Sequence, residues 1–89
     1  RAEQVSPRDL AAHPFVGYHE GMHTRAMIDA LFKRMAIAVH YAVESANAAT
    51  IKHMVLAGMG LAFLPESVVA AEIRRGQLVR KMIPRAATR

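Results

Sequence analysis

Leu56-Ala57-Gly58-Met59-Gly60-Leu61-Ala62-Phe63-Leu64-Pro65 reads as a helix end, a stop and the start of a buried strand in one short run. Gly58 supplies the residue that commonly terminates a helix, because without a Cβ it takes positive φ at little cost. Leu61 to Leu64 is then a near-continuous apolar stretch bounded by Gly60 and Pro65, the pattern of a strand covered on both faces. Strands of that kind belong to parallel sheets, so helices and strands should alternate on either side of it.

Upstream they do. Ser45 can cap a helix from about Ala46 to Ala57. Ile37 to Val43 sets Val39, Tyr41 and Val43 in period two, as a strand does. Before that, Thr24 can cap a helix whose Met27, Ile28, Leu31, Phe32 and Met35 share one stripe, leaving Asp29, Lys33 and Arg34 toward solvent. Phe15-Val16-Gly17-Tyr18 is a compact apolar strand. Ser6-Pro7-Arg8-Asp9 begins a short helical turn with serine as cap, proline first and an acid third, and the turn stops before His13-Pro14. Downstream, Glu66 to about Arg75 is a helix with Val68, Val69 and Ile73 inward and Gly76 as its stop. Leu78 to Ile83 reads as a last strand ending at Pro84, and residues 85–89 read as a loose polar tail. Met54 and Met59 are expected in the core with Met27 and Met35.

The order is strand-helix three times and a final strand. It predicts an α/β architecture over residues 1–89: three layers, a mostly parallel sheet, helices on both faces. In such sheets ligands bind beyond the carboxyl ends of the strands. Those ends are Tyr18-His19-Glu20-Gly21, Val43-Glu44-Ser45-Ala46-Asn47 and Leu64-Pro65-Glu66-Ser67. They contain the candidate site residues.

The first of them also spells a zinc-peptidase string, His19-Glu20-Gly21-Met22-His23. Zinc needs both histidines on one helical face, four residues apart, with the glutamate as general base. A strand ending at Tyr18 leaves His19, Glu20 and Gly21 in the following loop, and Gly21 disfavours helix by about 1 kcal/mol. Asp29 and Glu44 are distant third ligands with nothing local to fix them. His13, His40 and His53 read as surface or edge residues. No metal site is therefore expected, and no reaction: there is no glycine-rich phosphate cradle, nucleophile elbow or serine-histidine-acid order. No cofactor is expected.

The composition bounds the rest. Eighty-nine residues make one domain with one modest core, and 53% apolar residues exclude a disordered tail. That fraction is high for so short a chain and suggests a face meant for a partner. There are no cysteines, so no disulfide framework or thiolate site, and the expectation is a cytosolic protein. No apolar run is long enough to span a bilayer. The net charge of +5 invites a nucleic-acid reading. The basic pairs Lys33-Arg34, Arg74-Arg75 and Arg80-Lys81 instead fall late in or just after predicted elements, where they suit helix dipoles. No basic-aromatic stripe is present for stacking bases. The first residue is not methionine and no leader opens the chain, so it reads as part of a longer protein.

Taken together, "SPRDLAAHPFVGYHEG", "RAMIDALFKR" and "VHYAVESANAATIKHMVLAGMGLAFLPESVVAAEIRRGQLVRKMIP" resemble the regulatory part of LysR-type transcriptional regulators. Val55 to Pro65 is similar to the family's "V-x-A-G-x-G-I-A-x-L-P" signature, and Gly76-Gln77-Leu78-Val79 to the "G-x-L-V" that follows. The resemblance covers about residues 5 to 84. It implies the second of two α/β subdomains in a periplasmic-binding-protein-like effector domain, with the ligand cleft between them. It implies a small, often carboxylate-bearing effector, DNA contact only through a winged helix-turn-helix outside these residues, a homo-oligomeric parent and no membrane. Carried over by position, His19, Glu20 and Gly21 would form one wall of the cleft. Ser45, Ala46 and Asn47 would offer a helix start to an anion, and Phe63, Leu64 and Pro65 an apolar floor. Ser45 reads chiefly as a helix cap, and the first loop has no arginine beyond Arg25 to clamp an anion. A solute receptor for transport is the alternative within the same fold.

Overall fold

The computed structural model describes residues 2–4 and 6–82. The strand β2 (Pro14–Tyr18) organises the rest. Successive side chains on a strand point to opposite faces, and here both faces are buried. Phe15 packs with Leu10, Phe32 and Met35 on one side, and Val16 and Tyr18 pack with Ile51 on the other. A strand buried twice must lie between two layers. The first layer is α1 (Pro7–Ala11) and α2 (His23–Arg34); the second is α3 (Ala48–Leu56), with α4 (Glu66–Arg74) against it. Phe15, Val16 and Ile51 are at most 2% exposed, and burying each such side chain contributes about 1.5–3 kcal/mol.

The strand β3 (His40–Ser45) pairs with β2 in parallel, Phe15 opposite Tyr41 and Tyr18 opposite Ser45, with a bulge between Phe15 and Val16. A second parallel pair joins β1 (Ala2–Gln4) to β4 (Arg80–Met82). The parallel α/β reading therefore holds, with helices on both faces of β2. The described strands form two separate pairs, however, and not one four-stranded sheet. β1 carries no run of β-branched or aromatic residues, so its pairing with β4 defines it and its composition does not.

The largest departure concerns Leu61–Leu64. This run was expected to be a full strand. It makes only one parallel bridge, Leu61 to Phe15, through Val16 N–H donating to the Leu61 carbonyl at 2.8 Å and Leu61 N–H to that of Pro14 at 3.0 Å. All four residues are half-buried. Pro65, which has no N–H and restricts the residue before it, closes the run four residues beyond the bridging Leu61. The bridge itself depends on Gly60: a Cβ there would lie 2.5 Å from the Pro14 carbonyl oxygen.

Helix starts also shift. The capping box of α1 forms as read, with Asp9 N–H donating to Ser6 Oγ at 3.1 Å and Asp9 returning the bond. α2 begins at His23, not after Thr24, and its cap residue Met22 supplies no side-chain bond. The cap of α3 is Asn47, whose Oδ1 accepts from Thr50 N–H at 3.1 Å, and not Ser45. Ser45 cannot serve, because it is the last residue of β3 and is held in register against Tyr18; its hydroxyl instead accepts from Asn47 N–H at 3.2 Å. β3 itself runs later than Ile37 to Val43, and β4 is shorter than Leu78 to Ile83, whose last residue lies outside the described residues. The proposed loose tail, 85–89, lies outside them too.

Two predicted core residues are exposed, Met27 at 60% and Met59 at 40%, whereas Met35 is buried and Met54 half-buried. Asp29, expected at the surface, is half-buried and bonded to Arg25 and Tyr41. The apolar stripe of α2 is narrower than its sequence suggests because Arg25 and Asp29 occupy part of the face that meets the sheet. Lys33 and Arg34 do fall in the last turn of α2, and Arg74 in that of α4, where they complement the dipole.

Candidate functional site

The carboxyl ends of β2 and β3 lie side by side, and the loops that leave them start from one edge. After Tyr18 the chain turns through His19, Glu20, Gly21 and Met22, with Met22 N–H donating to the His19 carbonyl at 3.3 Å. The third position of such a turn requires positive φ, and Gly21 has φ +92°. His19 and Glu20 are therefore exposed on a tight turn, while His23 is the first residue of α2. The two histidines do not share a helical face, and among the described residues no three acidic or histidine side chains gather as a metal would need. The zinc string is a turn followed by a helix start.

Beside this turn, Arg25 is the one charged residue in the described core, 8% exposed. Its Nε donates to Asp29 at 2.8 Å, and one terminal nitrogen donates to the Tyr18 carbonyl at 2.7 Å and lies 3.5 Å from Glu44. The guanidinium sits 3.8 Å over the Tyr41 ring, and the Tyr41 hydroxyl donates to the other Asp29 oxygen at 2.6 Å. That ring lies over Gly17, where a Cβ would overlap it. Burial pulls the Arg25 pKa down, but the hydrogen bond and charge of Asp29, with Tyr41 and Glu44, outweigh it and hold it above the usual value. Burial, then the hydrogen bond to Asp29, push the Tyr41 phenol well above its ordinary range, against the opposing charge of Arg25. On the outer side, His19 Nδ1 is 3.7 Å from Glu44.

The candidate residues read from the sequence do not form one continuous wall. His19 reaches Glu44 across the edge, and Ser45 is in register with Tyr18. Ala46 and Asn47 are exposed at the start of α3. Glu20 and Gly21 border an open hollow with Met22, His23, Arg25 and Asp29. Phe63 and Leu64 line a different, apolar cavity of about 350 Å³ together with residues of α4 and β4. The Phe63 ring is turned toward Phe32 and Phe15, with centroids 5.5 and 6.1 Å apart. Pro65 is exposed as the residue preceding α4.

Sequence reasoning noted Glu44 only at a strand end and as a distant metal ligand, and missed its pairing with Arg25 and His19 and the role of Arg25. The spacing of Arg25 and Asp29, four apart on a helix, signals an ion pair. Nothing local signals that this pair faces the sheet and reaches the strand ends.

Comparison with known proteins agrees with this architecture. The family described as LysR substrate binding domain matches residues 1–89. Among curated proteins, the HTH-type transcriptional regulator CbbR of Cereibacter sphaeroides is 38% identical over 91% of this chain, and CbbR of Xanthobacter flavus 34% over 88%. The uncharacterized HTH-type transcriptional regulator YeiE of Escherichia coli K12 is 30% identical over 90%. The matches cover 26, 24 and 27% of those proteins, so the chain spans about a quarter of their length.

Proposed function

The chain belongs to the LysR substrate-binding domain family, and on that premise we propose that it is the second α/β subdomain of the effector-sensing region of a DNA-binding transcriptional regulator. The carrying observation is the register that sets Tyr18 opposite Ser45. It starts the His19-Glu20-Gly21 turn and the Ser45-Ala46-Asn47 segment from one edge, where a ligand held against a partner subdomain would meet both. Leu64 packs on the Val16, Tyr18 and Ile51 cluster that carries this edge, while Phe63 faces Phe15 and Phe32; with Pro65 they stay the apolar floor of the reading.

The polar groups there suit a small metabolite. Ser45 Oγ and Asn47 Oδ1 already accept from the backbone at the start of α3, so the Asn47 and Thr50 N–H groups are taken. The remaining first-turn N–H groups, with the helix dipole, favour a carboxylate. Arg25 does not add a clamp, because Asp29, Glu44 and the Tyr18 carbonyl already engage it. A ligand acts by stabilising one arrangement of the two subdomains over another, and so one spacing of DNA-binding heads in a homo-oligomer. In this reading DNA contact belongs to a winged helix-turn-helix outside these residues, the protein works in the cytoplasm, and these residues carry no reaction.

The test is a ¹H–¹⁵N titration of the chain with a panel of small organic acids and amino acids at millimolar concentration. Shifts concentrated at residues 19–21 and 45–47 support the reading. Binding confined to other surfaces overturns the site assignment.

A further inference from the structure

We propose that Arg25 is the positioning residue of the effector wall: it touches no ligand, but sets where the His19-Glu20-Gly21 turn and Glu44 stand by tying both strand ends to α2. This rests on the reading of the strand edge as the effector wall.

The geometry assigns each bond a separate task. Nε to Asp29 anchors the guanidinium to its own helix, one turn on. The bond to the Tyr18 carbonyl, at 2.7 Å, grips the last residue of β2, immediately before the turn begins. The contact with Glu44, at 3.5 Å, grips the penultimate residue of β3. Glu44 in turn faces His19 at 3.7 Å, so the exposed histidine and the carboxylate beside it take their positions from one buried cation. Tyr41 fixes the guanidinium plane from the ring below it, and holds the second oxygen of Asp29. Gly17 leaves room for that ring.

The arrangement is over-determined for stability alone. A buried cation needs one good carboxylate, and a hydrophobic residue of similar volume often serves the core as well. Arg25 instead spends its planar donors on three elements that converge where the two loops depart. Lysine cannot reproduce this, because a single ammonium does not reach the carbonyl, Asp29 and Glu44 in the fixed fork that arginine presents.

The experiment uses the absence of native cysteine. A nitroxide is attached at Glu20→Cys on the turn, or at Lys33→Cys on the last turn of α2, in the otherwise native chain and in Arg25→Met and Arg25→Lys backgrounds. Loss of a hydrogen bond from a charged donor changes a local equilibrium by about tenfold or more. The mobile fraction of the label at 20 should rise on that scale in Arg25→Met and by less in Arg25→Lys, while the label at 33 stays as in the native chain. Unchanged mobility at 20, or equal loosening at 20 and 33, overturns the proposal, since the latter reports only a destabilised helix. If Arg25→Met does not fold, Arg25→Lys decides by the same criterion. The readout is placement and not binding, so it stands or falls separately from any titration with metabolites.

Discussion

β2 and the Leu61–Leu64 run carry similar apolar residues, yet β2 is buried at four of its five residues and the run is half-buried and bridged once. The difference lies in neighbours. β2 has β3 along one edge, Leu61 against the other, and a helical layer on each face. Leu61–Leu64 has β2 along one edge at a single residue, and Phe63 and Leu64 border the apolar cavity. An apolar run states that a segment will leave water. It does not state how many partners will be there to receive it.

That contrast is most directly broken by truncating a side chain in each region. Phe15→Ala removes a ring packed edge-on to Phe32 at 5.1 Å and within 6.4 Å of Tyr41. It should cost about 3–5 kcal/mol, enough to unfold much of a population whose total stability is on the order of 5–15 kcal/mol. Leu64→Ala, at a half-buried position, should cost about 1–2 kcal/mol, below the usual range for a fully buried leucine. Urea unfolding followed by circular dichroism compares the two. Equal losses would mean that the bridged run is held as tightly as β2.

The second way tests the bridge alone. Gly60 has φ +152° and no room for a Cβ beside Pro14, whereas Gly58 has φ +82° with nothing within 4 Å of the added atom. Gly60→Ala combines backbone strain with a steric clash and should cost about 2–3 kcal/mol. Gly58→Ala should cost about 1 kcal/mol. In hydrogen exchange, Gly60→Ala should expose the Val16 N–H that donates to Leu61 while sparing Ile51 N–H in α3. Loss of protection at both would show that the bridge is part of the global unit.

These residues also mark what was legible in sequence. The compact apolar strand at Phe15–Tyr18, the glycine stop after α3, the Ser6–Asp9 box and the family signature from Val55 to Pro65 are all local patterns, and each could be read without coordinates. The Leu61–Leu64 pairing could not, because the number of hydrogen-bonded neighbours is a tertiary property. The pairing of β1 with β4 joins residues about eighty positions apart, and nothing in Ala-Glu-Gln advertises it. At the candidate site the turn after β2 was legible from Gly21 and the end of the apolar run. Glu44 and the inward face of Arg25 were not, since their meaning comes from the register between strands that the sequence leaves open.

A smaller effect separates the two residues at the start of α3. Asn47→Ala removes the cap bond to Thr50 N–H and should cost about 1 kcal/mol. Ser45→Ala removes a bond to Asn47 N–H at an exposed turn and should cost about 0.5 kcal/mol, the low end for a hydrogen bond. Thermal unfolding ranks them. A larger loss for Ser45 would return the capping role to it and move the helix start toward the strand.

The smallest expected effect lies between α3 and α4, where Lys52 of α3 meets Glu72 of α4 at 3.1 Å and also donates to the Val68 carbonyl at 3.3 Å. The bond from Lys52, with a backbone hydrogen bond adding to it, lowers the Glu72 pKa below its ordinary value of 4.5. A carboxyl whose folded pKa is depressed contributes stability that is present above the unfolded value and lost as pH falls through the folded one. Native chain and Glu72→Gln should therefore differ in urea midpoint at neutral pH and converge as the pH drops through and below 4.5. Salt should narrow the neutral difference only slightly, because the two side chains are mostly covered, at 18% and 14% exposure. If salt abolished it, the pair would be an open surface contact and not a covered tie between α3 and α4.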